Sequence, residues 1–364
     1  MKVSLITLQA VKNYGSVLQT YATQEFLKRF GLEIEVVNYI KPDSTDNMLL
    51  KTWTYGDNAI KKIFKRLVLY PSFIRWKKVF DGFLNKYVNL TSNTYVTPRD
   101  FRNFPIEADI YCVGSDQVWN SKWNKGIIGA LFLDYAPSNK LKISFASSFG
   151  KSKLDEWEKE KTRDFLNEFD FLSVREETGV SILEDLGIYG ATQLLDPTLL
   201  FDRFFWKDFA SKRLIEDDYL LIYQLNNNKD FDKFAEKISQ DNNLKLVRLC
   251  TRYDQVFKNG KSILIPEVDE FVSLFSNASC VITDSFHATV FSINLNVPFF
   301  SIYPKDFSTR IESILKQMHL LDRHIDSYEE KININNIDFQ FSNEELDRER
   351  SITKEFVKKS FLKG

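Results

Sequence analysis

Short apolar runs alternate with segments of helical period in two successive series, and this alternation limits the fold of the chain more than any other feature. Residues 2–8 form an apolar run that predicts a buried strand. Residues 16–30 place apolar side chains at helical spacing, and Gly31 is a good helix terminator. The next run, LEIEVVNYI, predicts a second strand. A strand–helix–strand unit of this kind places its two strands parallel in one sheet.

The alternation stops at Asp196-Pro197-Thr198 and starts again near Tyr219. In the first series, further strands are predicted at residues 109–113, 142–146, 171–174 and 192–195. In the second series, strands are predicted at residues 219–225, 245–250, 262–267, 280–284 and 298–303, and helices at 230–240, 269–279 and 287–296. The sequence therefore predicts an α/β fold class with two doubly wound, Rossmann-like domains facing a cleft.

The N-terminal domain is predicted to cover residues 1–205, with a basic and aromatic helical insertion at about residues 57–90. The C-terminal domain follows over residues 206–342, and residues 343–364 predict a terminal helix that could pack back on the N-terminal domain. In such sheets ligands bind outside the carboxyl ends of the strands. The loops that follow strands are therefore where functional side chains are expected.

Composition argues against several functional classes. Because 49 Lys and Arg residues balance 50 Asp and Glu residues, no nucleic-acid partner is predicted. The chain has neither a P-loop nor a GxGxxG motif. Its cysteines, Cys112, Cys250 and Cys280, form no CxxC pair, so we expect reduced core residues and no metal site. Without a signal-peptide core or a run of about 20 apolar residues, a cytoplasmic location is expected.

Polar side chains follow the predicted strands of the first series. Gly15 allows close backbone approach to a ligand, and Asn13 offers a donor and an acceptor beside Tyr14. A second group follows the strand at residues 109–113, and its amide, indole and carboxylate groups suit sugar hydroxyls: Ser115, Asp116, Gln117, Trp119 and Asn120. The alternatives are an ordinary turn with a helix cap for the first group and a capped helix with a core tryptophan for the second.

Two arginines also follow predicted strands. A guanidinium at Arg175 or Arg310 could bind a carboxylate or phosphate through two parallel hydrogen bonds. The alternative for Arg175 is an ion pair with Glu176 or Glu177, and the alternative for Arg310 is a surface residue at a helix start.

The stretch VITDSFHATVFSI at residues 281–293 places His287 in the first turn of a predicted helix. A neutral imidazole there could take a proton and return it. Asp284 is close enough in sequence to orient the ring, and Ser285 and the backbone N–H groups of the first turn favour a bound phosphate. The alternative is a histidine satisfied within the core.

Residues 59–90 differ from the rest, because they hold eight Lys or Arg residues and one acid, Asp81, among apolar side chains. A basic amphipathic helix of this kind is typical of proteins that lie on an anionic membrane surface, here the inner face of the cell membrane. A solvated helical insertion packed on the first domain is the alternative, and nucleic acid is a third hypothesis weakened by the neutral net charge.

Six stretches together make the chain resemble the polysaccharide pyruvyl transferase family. They occur in family order over most of the chain: KNYGSVLQTYATQ (12–24), VGSDQVWN (113–120), SFASSFG (144–150), LSVRE (172–176), LLDPTLLF (194–201) and VITDSFHATVFSI (281–293). Residues 41–105 and those after about 320 carry no family signature.

The resemblance implies a GT-B-like fold and the transfer of pyruvate from phosphoenolpyruvate to a hexose of a cell-surface polysaccharide or its lipid-linked precursor. The product would be a cyclic ketal, phosphoenolpyruvate would be a co-substrate, and no cofactor is implied. In the family the histidine of DSFH and the arginine of SVRE are active-site residues, here His287 and Arg175. The N-terminal domain would then bind the acceptor and the C-terminal domain the donor. The alternative enzyme is a GT-B glycosyltransferase that uses a nucleotide sugar, and the non-enzymatic alternative is a scaffold.

Overall fold

Two five-stranded parallel sheets carry the fold, one in each of two compact units. The structure is a computed structural model, and it describes residues 1–46, 48, 58–304, 309–328, 332–334 and 337–362, with the backbone alone for residues 59–62, 64–66, 68 and 254. The first unit comprises Met1–Met48, Phe83–Leu200 and Asp347–Gly364, and the second comprises Leu49–Gly82 and Phe201–Leu346.

The strands and helices follow the predicted alternation. The strands are β1 Lys2–Ile6, β2 Glu33–Tyr39, β3 Leu90–Tyr95, β4 Ile110–Val113, β5 Leu141–Ser144, β6 Ser173–Val174, β7 Thr192–Gln193, β8 Tyr219–Tyr223, β9 Lys245–Cys250, β10 Lys261–Leu264, β11 Cys280–Thr283 and β12 Phe299–Ser301. The helices are α1 Tyr14–Lys28, α2 Ala59–Trp76, α3 Gly82–Tyr87, α4 Pro98–Asn103, α5 Ser121–Asn124, α6 Glu156–Leu166, α7 Glu177–Asp185, α8 Arg203–Phe209, α9 Lys229–Asp241, α10 Val268–Ser276, α11 Phe286–Leu295, α12 Thr309–Gln317 and α13 Gln340–Phe361.

The first unit has the strand order β3-β2-β1-β4-β5, and every pairing is parallel. Strands β6 and β7 pair with each other beyond β5, and single bridges join Phe171 to Ile143 and Val174 to Ser147. Apolar residues of the sheet, α7 and the segment before β5 form one buried core, which includes Trp119, Phe132 and Phe149. The C-terminal helix packs on this unit, because Arg350 Nε donates a hydrogen bond to the carbonyl of Leu199 at 2.8 Å.

The second unit repeats the arrangement with the order β10-β9-β8-β11-β12, again parallel throughout. Helix α9 covers one face through Phe231, Phe234 and Ile238, which are buried against β8 and β11. On α10 and α11, the rings of Phe271 and Phe291 lie 5.9 Å apart. The prediction of two doubly wound, Rossmann-like domains is therefore confirmed.

The basic insertion does not group as its place in the sequence suggested. Residues 49–82 belong to the second unit, and only those from Phe83 onward belong to the first. The end of α2 explains this grouping, because Arg75 forms an ion pair with Glu267 at 2.8 Å and Trp76 Nε1 donates to the carbonyl of Thr251 at 2.6 Å. These partners are distant in sequence, so the helical pattern alone did not indicate them.

Two further predictions concern membranes and redox state. No helix among the described residues is long and apolar enough to cross a bilayer. The three cysteines, Cys112, Cys250 and Cys280, are buried and form no disulfide, as predicted.

Candidate functional site

The strand order reverses at one point in each unit, between β1 and β4 in the first and between β8 and β11 in the second. Ligands of open parallel sheets bind outside the carboxyl ends of the strands at such a switch point. Five of the six sequence stretches contribute to the switch point of the first unit or its surroundings, and the sixth forms that of the second. We describe each switch point in turn.

Asp116 connects the loops that meet at the switch point of the first unit. Its backbone has a φ of 75°, in the left-handed region that aspartate tolerates better than most residues. The carboxylate accepts a hydrogen bond from Ser16 Oγ at 2.7 Å and another from the N–H of Gln117 at 2.8 Å. A second link joins the same loops, because Thr7 Oγ1 donates to the carbonyl of Ser115 at 2.7 Å. The loops after β1 and β4 are therefore held together by side chains.

Arg175 lies beside this aspartate and is only 4% exposed. Its Nε donates to Glu176 at 3.0 Å, and its Nη1 donates to Asp196 at 2.8 Å. Burial opposes the charge of the guanidinium, but the carboxylates of Glu176, Asp196 and Asp116 outweigh burial and raise the pKa of Arg175. The arginine is thus the cation that permits several carboxylates to be buried at one place.

The carboxylates are held in turn by hydroxyl groups of neighbouring stretches. Ser148 Oγ donates to Glu176 at 2.8 Å. Thr198 donates to Asp196 through its N–H at 3.0 Å and its hydroxyl at 2.7 Å. We call this group, Ser16, Ser115, Asp116, Ser148, Arg175, Glu176, Asp196 and Thr198, the arginine cluster. It joins the stretches that follow β4, β5, β6 and β7 to the start of α1.

The arginine cluster shows which partners Arg175 has within the unit. The ion pair with Glu176, which the sequence left open as the alternative, is the arrangement that Arg175 adopts. Two of its three guanidinium nitrogens, Nε and Nη1, bind carboxylates of the same unit.

Two predicted acceptor residues are also committed elsewhere. Trp119 is 3% exposed in the core, and its Nε1 donates to the carbonyl of Leu131 at 2.9 Å. Both polar atoms of the Asn120 amide are used, because its Nδ2 donates to Gln117 at 2.6 Å and its Oδ1 accepts from the N–H of Trp123 at 3.0 Å. In the structure these two residues are a core tryptophan and a helix cap, which is the alternative that the sequence left open.

The remaining predicted acceptor residues border the switch point. Asn13 caps α1 by accepting from the N–H of Ser16 at 2.7 Å, while Tyr14 and Gly15 are buried in the first turn of that helix. Ser115, Asp116 and Gln117 follow β4 and are also buried. The structure brings these residues together at one sheet edge, as their positions after strands predicted.

Asp284 connects the segments that meet at the switch point of the second unit. Its Oδ1 accepts from the N–H of Leu225 at 2.7 Å, and its Oδ2 accepts from the N–H and the side chain of Asn226, both at 2.9 Å. Burial raises the pKa of Asp284, against these hydrogen bonds, which lower it. The carboxylate therefore fixes the loop after β8, a task that the sequence did not assign to it.

Helix α11 begins directly after this aspartate. Ser285 is its N-cap residue, and the Ser285 hydroxyl makes no hydrogen bond within the described part of the chain. His287 lies in the first turn, half-buried, with its ring 5.1 Å from that of Phe286 in an edge-on arrangement. Arg310 is half-buried as well, and its guanidinium lies 5.4 Å from the centre of the Phe286 ring. We call Ser285, His287 and Arg310 the helix-start group.

The helix-start group therefore combines a cation, an imidazole and a hydroxyl beside the positive end of a helix dipole. The first backbone N–H groups of any helix have no acceptor within the helix, so they are available to an anion. In the described ranges, no three His, Cys, Asp or Glu side chains are grouped as metal ligands.

Sequence reasoning missed part of the arginine cluster. Asp196, Ser16 and Ser148 all lie in the quoted stretches, yet none was assigned a role. The signal for Asp196 was available, because it follows the predicted strand at residues 192–195 just as Asp116 and Asp284 follow theirs.

Solved structures resemble this chain over nearly its whole length. A protein described as a UDP-N-acetylglucosamine 2-epimerase from Listeria monocytogenes gives a TM-score of 0.52 at 12% identity, covering 98% of this chain and 89% of that one. A UDP-GlcNAc 2-epimerase from Methanocaldococcus jannaschii gives a TM-score of 0.46 at 13% identity, covering 97% and 92%. The first likeness shows a shared two-domain, GT-B-like fold, as the sequence predicted.

The family comparison goes further than the fold. None of the curated proteins compared with the chain matches it. The family model described as polysaccharide pyruvyl transferase matches residues 13–306, well over half of the chain. This range contains the arginine cluster, Asp284, Ser285 and His287, and it ends just before Arg310. The chain therefore belongs to the polysaccharide pyruvyl transferase family, whose members are transferases of polysaccharide biosynthesis.

Proposed function

We propose that this chain transfers pyruvate from phosphoenolpyruvate to a hexose of a cell-surface polysaccharide or its lipid-linked precursor, and that it forms a cyclic ketal. The observation that carries the proposal is the helix-start group. Phosphoenolpyruvate is a small anion with a carboxylate and a phosphate, and it needs proton transfer at carbon and at hydroxyl groups. Arg310, Ser285, the start of α11 and His287 supply groups suited to these tasks.

The donor is assigned to the second unit. The phosphate would accept hydrogen bonds from the first N–H groups of α11 and from the Ser285 hydroxyl, while Arg310 would bind the remaining negative charge. The Phe286 ring under Arg310 supports the guanidinium through its face. Asp284 is a positioning residue in this proposal, since its oxygens hold the loop at residues 225–226.

The protons of the proposed reaction balance, and one residue can carry out the transfers. Protonation of the methylene carbon makes the central carbon of phosphoenolpyruvate cationic, and a sugar hydroxyl adds there with loss of its proton. The bond to phosphate then breaks, and a second hydroxyl closes the ketal. Of the two hydroxyl protons, one replaces the proton taken up by the methylene carbon and the other leaves with phosphate. His287 is the residue that we assign to these transfers.

The acceptor is assigned to the first unit. Asp116, Ser115 and Gln117 border its switch point, where carboxylate and amide groups suit sugar hydroxyls. In this proposal Arg175 keeps Glu176 and Asp196 in place and thereby supports the segment that carries Asp116.

The test is incubation with phosphoenolpyruvate and galactose- or glucosamine-containing glycans, followed by mass spectrometry. Pyruvylation predicts phosphate release and an acceptor heavier by one pyruvate less water. The alternative, a glycosyltransferase that uses a nucleotide sugar, predicts nucleotide release from UDP- or ADP-sugars and no consumption of phosphoenolpyruvate. His287→Ala is expected to lower the rate by roughly two or more orders of magnitude.

A matched histidine in the same unit controls for this substitution. His324 stacks on Tyr303, and its Nε2 lies 3.0 Å from Oδ1 of Asp326, so its replacement disturbs packing without touching the helix-start group. A rate that falls equally in His287→Ala and His324→Ala would point to a general loss of folding and would remove the support for a catalytic histidine. An unchanged rate in His287→Ala would remove this histidine from the reaction, whereas a wild type that consumes neither donor would favour the scaffold alternative.

We also propose that α2 binds the inner face of the membrane. Four apolar side chains at spacings of four, three and four residues share one face of this helix: Ile63, Leu67, Tyr70 and Ile74 are 62%, 69%, 50% and 50% exposed. The surrounding segment is strongly basic in sequence, although the side chains of Lys61, Lys62, Lys65 and Arg66 lie outside the described part of the structure. Exposed apolar groups beside cations suit an anionic lipid surface.

Vesicle co-sedimentation tests this second proposal. Leu67→Ser with Ile74→Ser is expected to release the chain from vesicles that contain phosphatidylserine, as is neutralisation of Lys61, Lys62, Lys65 and Arg66. Phe204→Ser, at a residue that is 61% exposed on α8 of the same unit, is the control and should bind like the wild type. Binding that survives both sets of changes would refute the proposal.

A further inference from the structure

The first unit contains a cavity of about 600 Å³ that no sequence stretch pointed to. It opens between α4, the residues that follow β2 and the segment before β5. Such a volume lies within the roughly 300–1,000 Å³ typical of small-molecule sites. Its wall includes Tyr39, Phe101 and Tyr135, and the rings of Phe101 and Tyr135 stack at 4.3 Å. The cavity therefore offers an aromatic wall at the carboxyl edge of the sheet.

Charged groups of both signs line the rest of the cavity. Lys41 is buried, and its Nζ donates to the carbonyl of Trp123 at 3.1 Å and pairs with Asp43 at 3.2 Å. Asp43 also pairs with Lys125 at 3.2 Å. Asp43 lies between the two lysines and neutralises one of their two positive charges.

Asp134 is the second carboxylate that lines the cavity. Its carboxylate makes no hydrogen bond or ion pair with any residue that the structure describes, although it lines the same space. A Cβ built on Gly129 would lie 1.9 Å from Asp134 Oδ2, so the carboxylate rests directly against the glycine backbone. Partial burial raises the pKa of Asp134. Arg102, on α4 at the rim, also makes no hydrogen bond or ion pair within the described part.

A carboxylate, a guanidinium, an amide and aromatic rings around one space favour a neutral ligand with many hydroxyl groups. A carboxylate accepts hydrogen bonds from two adjacent hydroxyls of a sugar, and an aromatic ring packs against the apolar face of the sugar ring. Asp134 would repel an anion. The carboxylate of Asp134 and the aromatic wall thus point to carbohydrate as the ligand.

The cavity is linked to the switch point through a single loop. Asn124 lines the cavity, and its Nδ2 donates to the carbonyls of Val118 at 2.9 Å and Gln117 at 3.3 Å. The cavity lies at the ends of β2 and β3, whereas Asp116 lies at the ends of β1 and β4. In a sheet of this order, the two places are about two strand spacings, or roughly 10 Å, apart.

We propose that this cavity is a subsite for a sugar residue of the acceptor glycan next to the one that receives pyruvate. The inference rests on the proposed function for the identity of the glycan as acceptor, but the binding of sugar in the cavity can be tested without catalysis. Asp134 would select the glycan by its hydroxyl pattern, and the chain would therefore prefer oligosaccharides to single sugars.

The experiment measures equilibrium binding of the full-length chain to a microarray of mono- and oligosaccharides in the absence of phosphoenolpyruvate. Three variants are compared. Asp134→Asn removes the charge, Gly129→Ala displaces the carboxylate without removing it, and Asp164→Asn changes a carboxylate that is 67% exposed on α6 and serves as the control. Circular dichroism and thermal melting check that each variant keeps the wild-type fold.

The expected result is binding to a subset of oligosaccharides that weakens about ten-fold or more in Asp134→Asn and in Gly129→Ala, and that is unchanged in Asp164→Asn. Absence of binding to any glycan, or equal binding by all variants, would overturn the inference. If oligosaccharides bind as expected but phosphoenolpyruvate is never consumed, the subsite stands and the proposed reaction fails. The two failures are thus distinguishable.

Discussion

The two switch points of this molecule share the hydrogen bonds that connect their strand ends, but the charged residues around them differ. In each unit an aspartate after the fourth strand accepts hydrogen bonds from the segment that follows the first strand. After β4, Asp116 accepts from Ser16, and after β11, Asp284 accepts from Leu225 and Asn226. Each unit also has a threonine that links the two strand ends, since Thr7 donates to Ser115 and Thr283 donates to Tyr223. The framework of the two sites is therefore shared.

The difference lies in the charged groups around that framework. Near Asp116, Arg175 is buried, and its guanidinium forms ion pairs with Glu176 and Asp196 of the same unit. After Asp284, His287 is half-buried in the first turn of α11, and Arg310, half-buried in the first turn of α12, lies over the Phe286 ring. The comparison teaches that an arginine after a strand can serve the fold in one unit, while in the other unit we propose Arg310 as the residue that binds an anion.

The largest expected effect compares the two arginines as structural elements. Arg175→Met leaves Glu176 and Asp196 buried without their cation, which typically costs about 3–5 kcal/mol of unfolding free energy. Arg310→Met, at a half-buried residue, should cost less than about 1 kcal/mol. Urea denaturation of both variants, with any separate transitions of the two units fitted individually, measures the difference. Equal losses of unfolding free energy in the two variants would contradict the difference between the two arginines.

A smaller effect is expected for phosphoenolpyruvate affinity at the helix start. Ser285→Ala removes a hydroxyl that we assign to the donor phosphate, and a hydrogen bond to a charged group is worth about 1.5–3 kcal/mol. Isothermal titration should therefore show binding at least about ten-fold weaker. Ser292→Ala is the matched control, because that hydroxyl is buried in the same helix and bonds to the carbonyl of Ala288 at 2.8 Å. Equal affinities in the two variants would remove Ser285 from the site.

The smallest effect concerns Asp284 and pH. Because burial raises the folded-state pKa of Asp284 above its ordinary value of 3.8, the unfolded chain releases this proton first as pH rises. The wild type should therefore lose stability relative to Asp284→Asn as pH rises from below 3.8 through the raised pKa. Denaturation of both proteins from about one unit below 3.8, where the carboxyl is protonated in both states, up to neutral pH measures the difference. A wild type that gains stability relative to Asp284→Asn as pH rises, or a difference that does not change with pH, would contradict the account.

The comparison also shows where sequence reasoning succeeds. Strand β9, Lys245–Cys250, was predicted at its observed bounds, and the strands β1, β2, β4, β8 and β11 were predicted within two residues at each end. These are apolar runs buried in parallel sheets, so hydrophobic pattern alone identifies them. The positions of His287, Asp284 and Asp116 at strand ends followed from the same pattern.

Other features depend on contacts that a sequence does not display. Strand β3, Leu90–Tyr95, was not predicted, because an edge strand with the sequence LTSNTY needs no apolar run. The grouping of α2 with the second unit depends on Arg75 and Trp76 finding partners nearly two hundred residues away. Likewise, the commitment of Arg175 to Asp196 arises only when β6 and β7 pair.

The most direct test of the central claim is a titration of phosphoenolpyruvate against the wild type, Arg310→Met and Arg310→Lys, at one ionic strength and with folding verified for each. If the start of α11 is the donor site, the wild type binds phosphoenolpyruvate, Arg310→Met binds at least about ten-fold more weakly, and Arg310→Lys recovers part of the loss. Phosphoenolpyruvate binding that is equal in all three proteins, or a wild type that binds a nucleotide sugar in its place, would contradict the account.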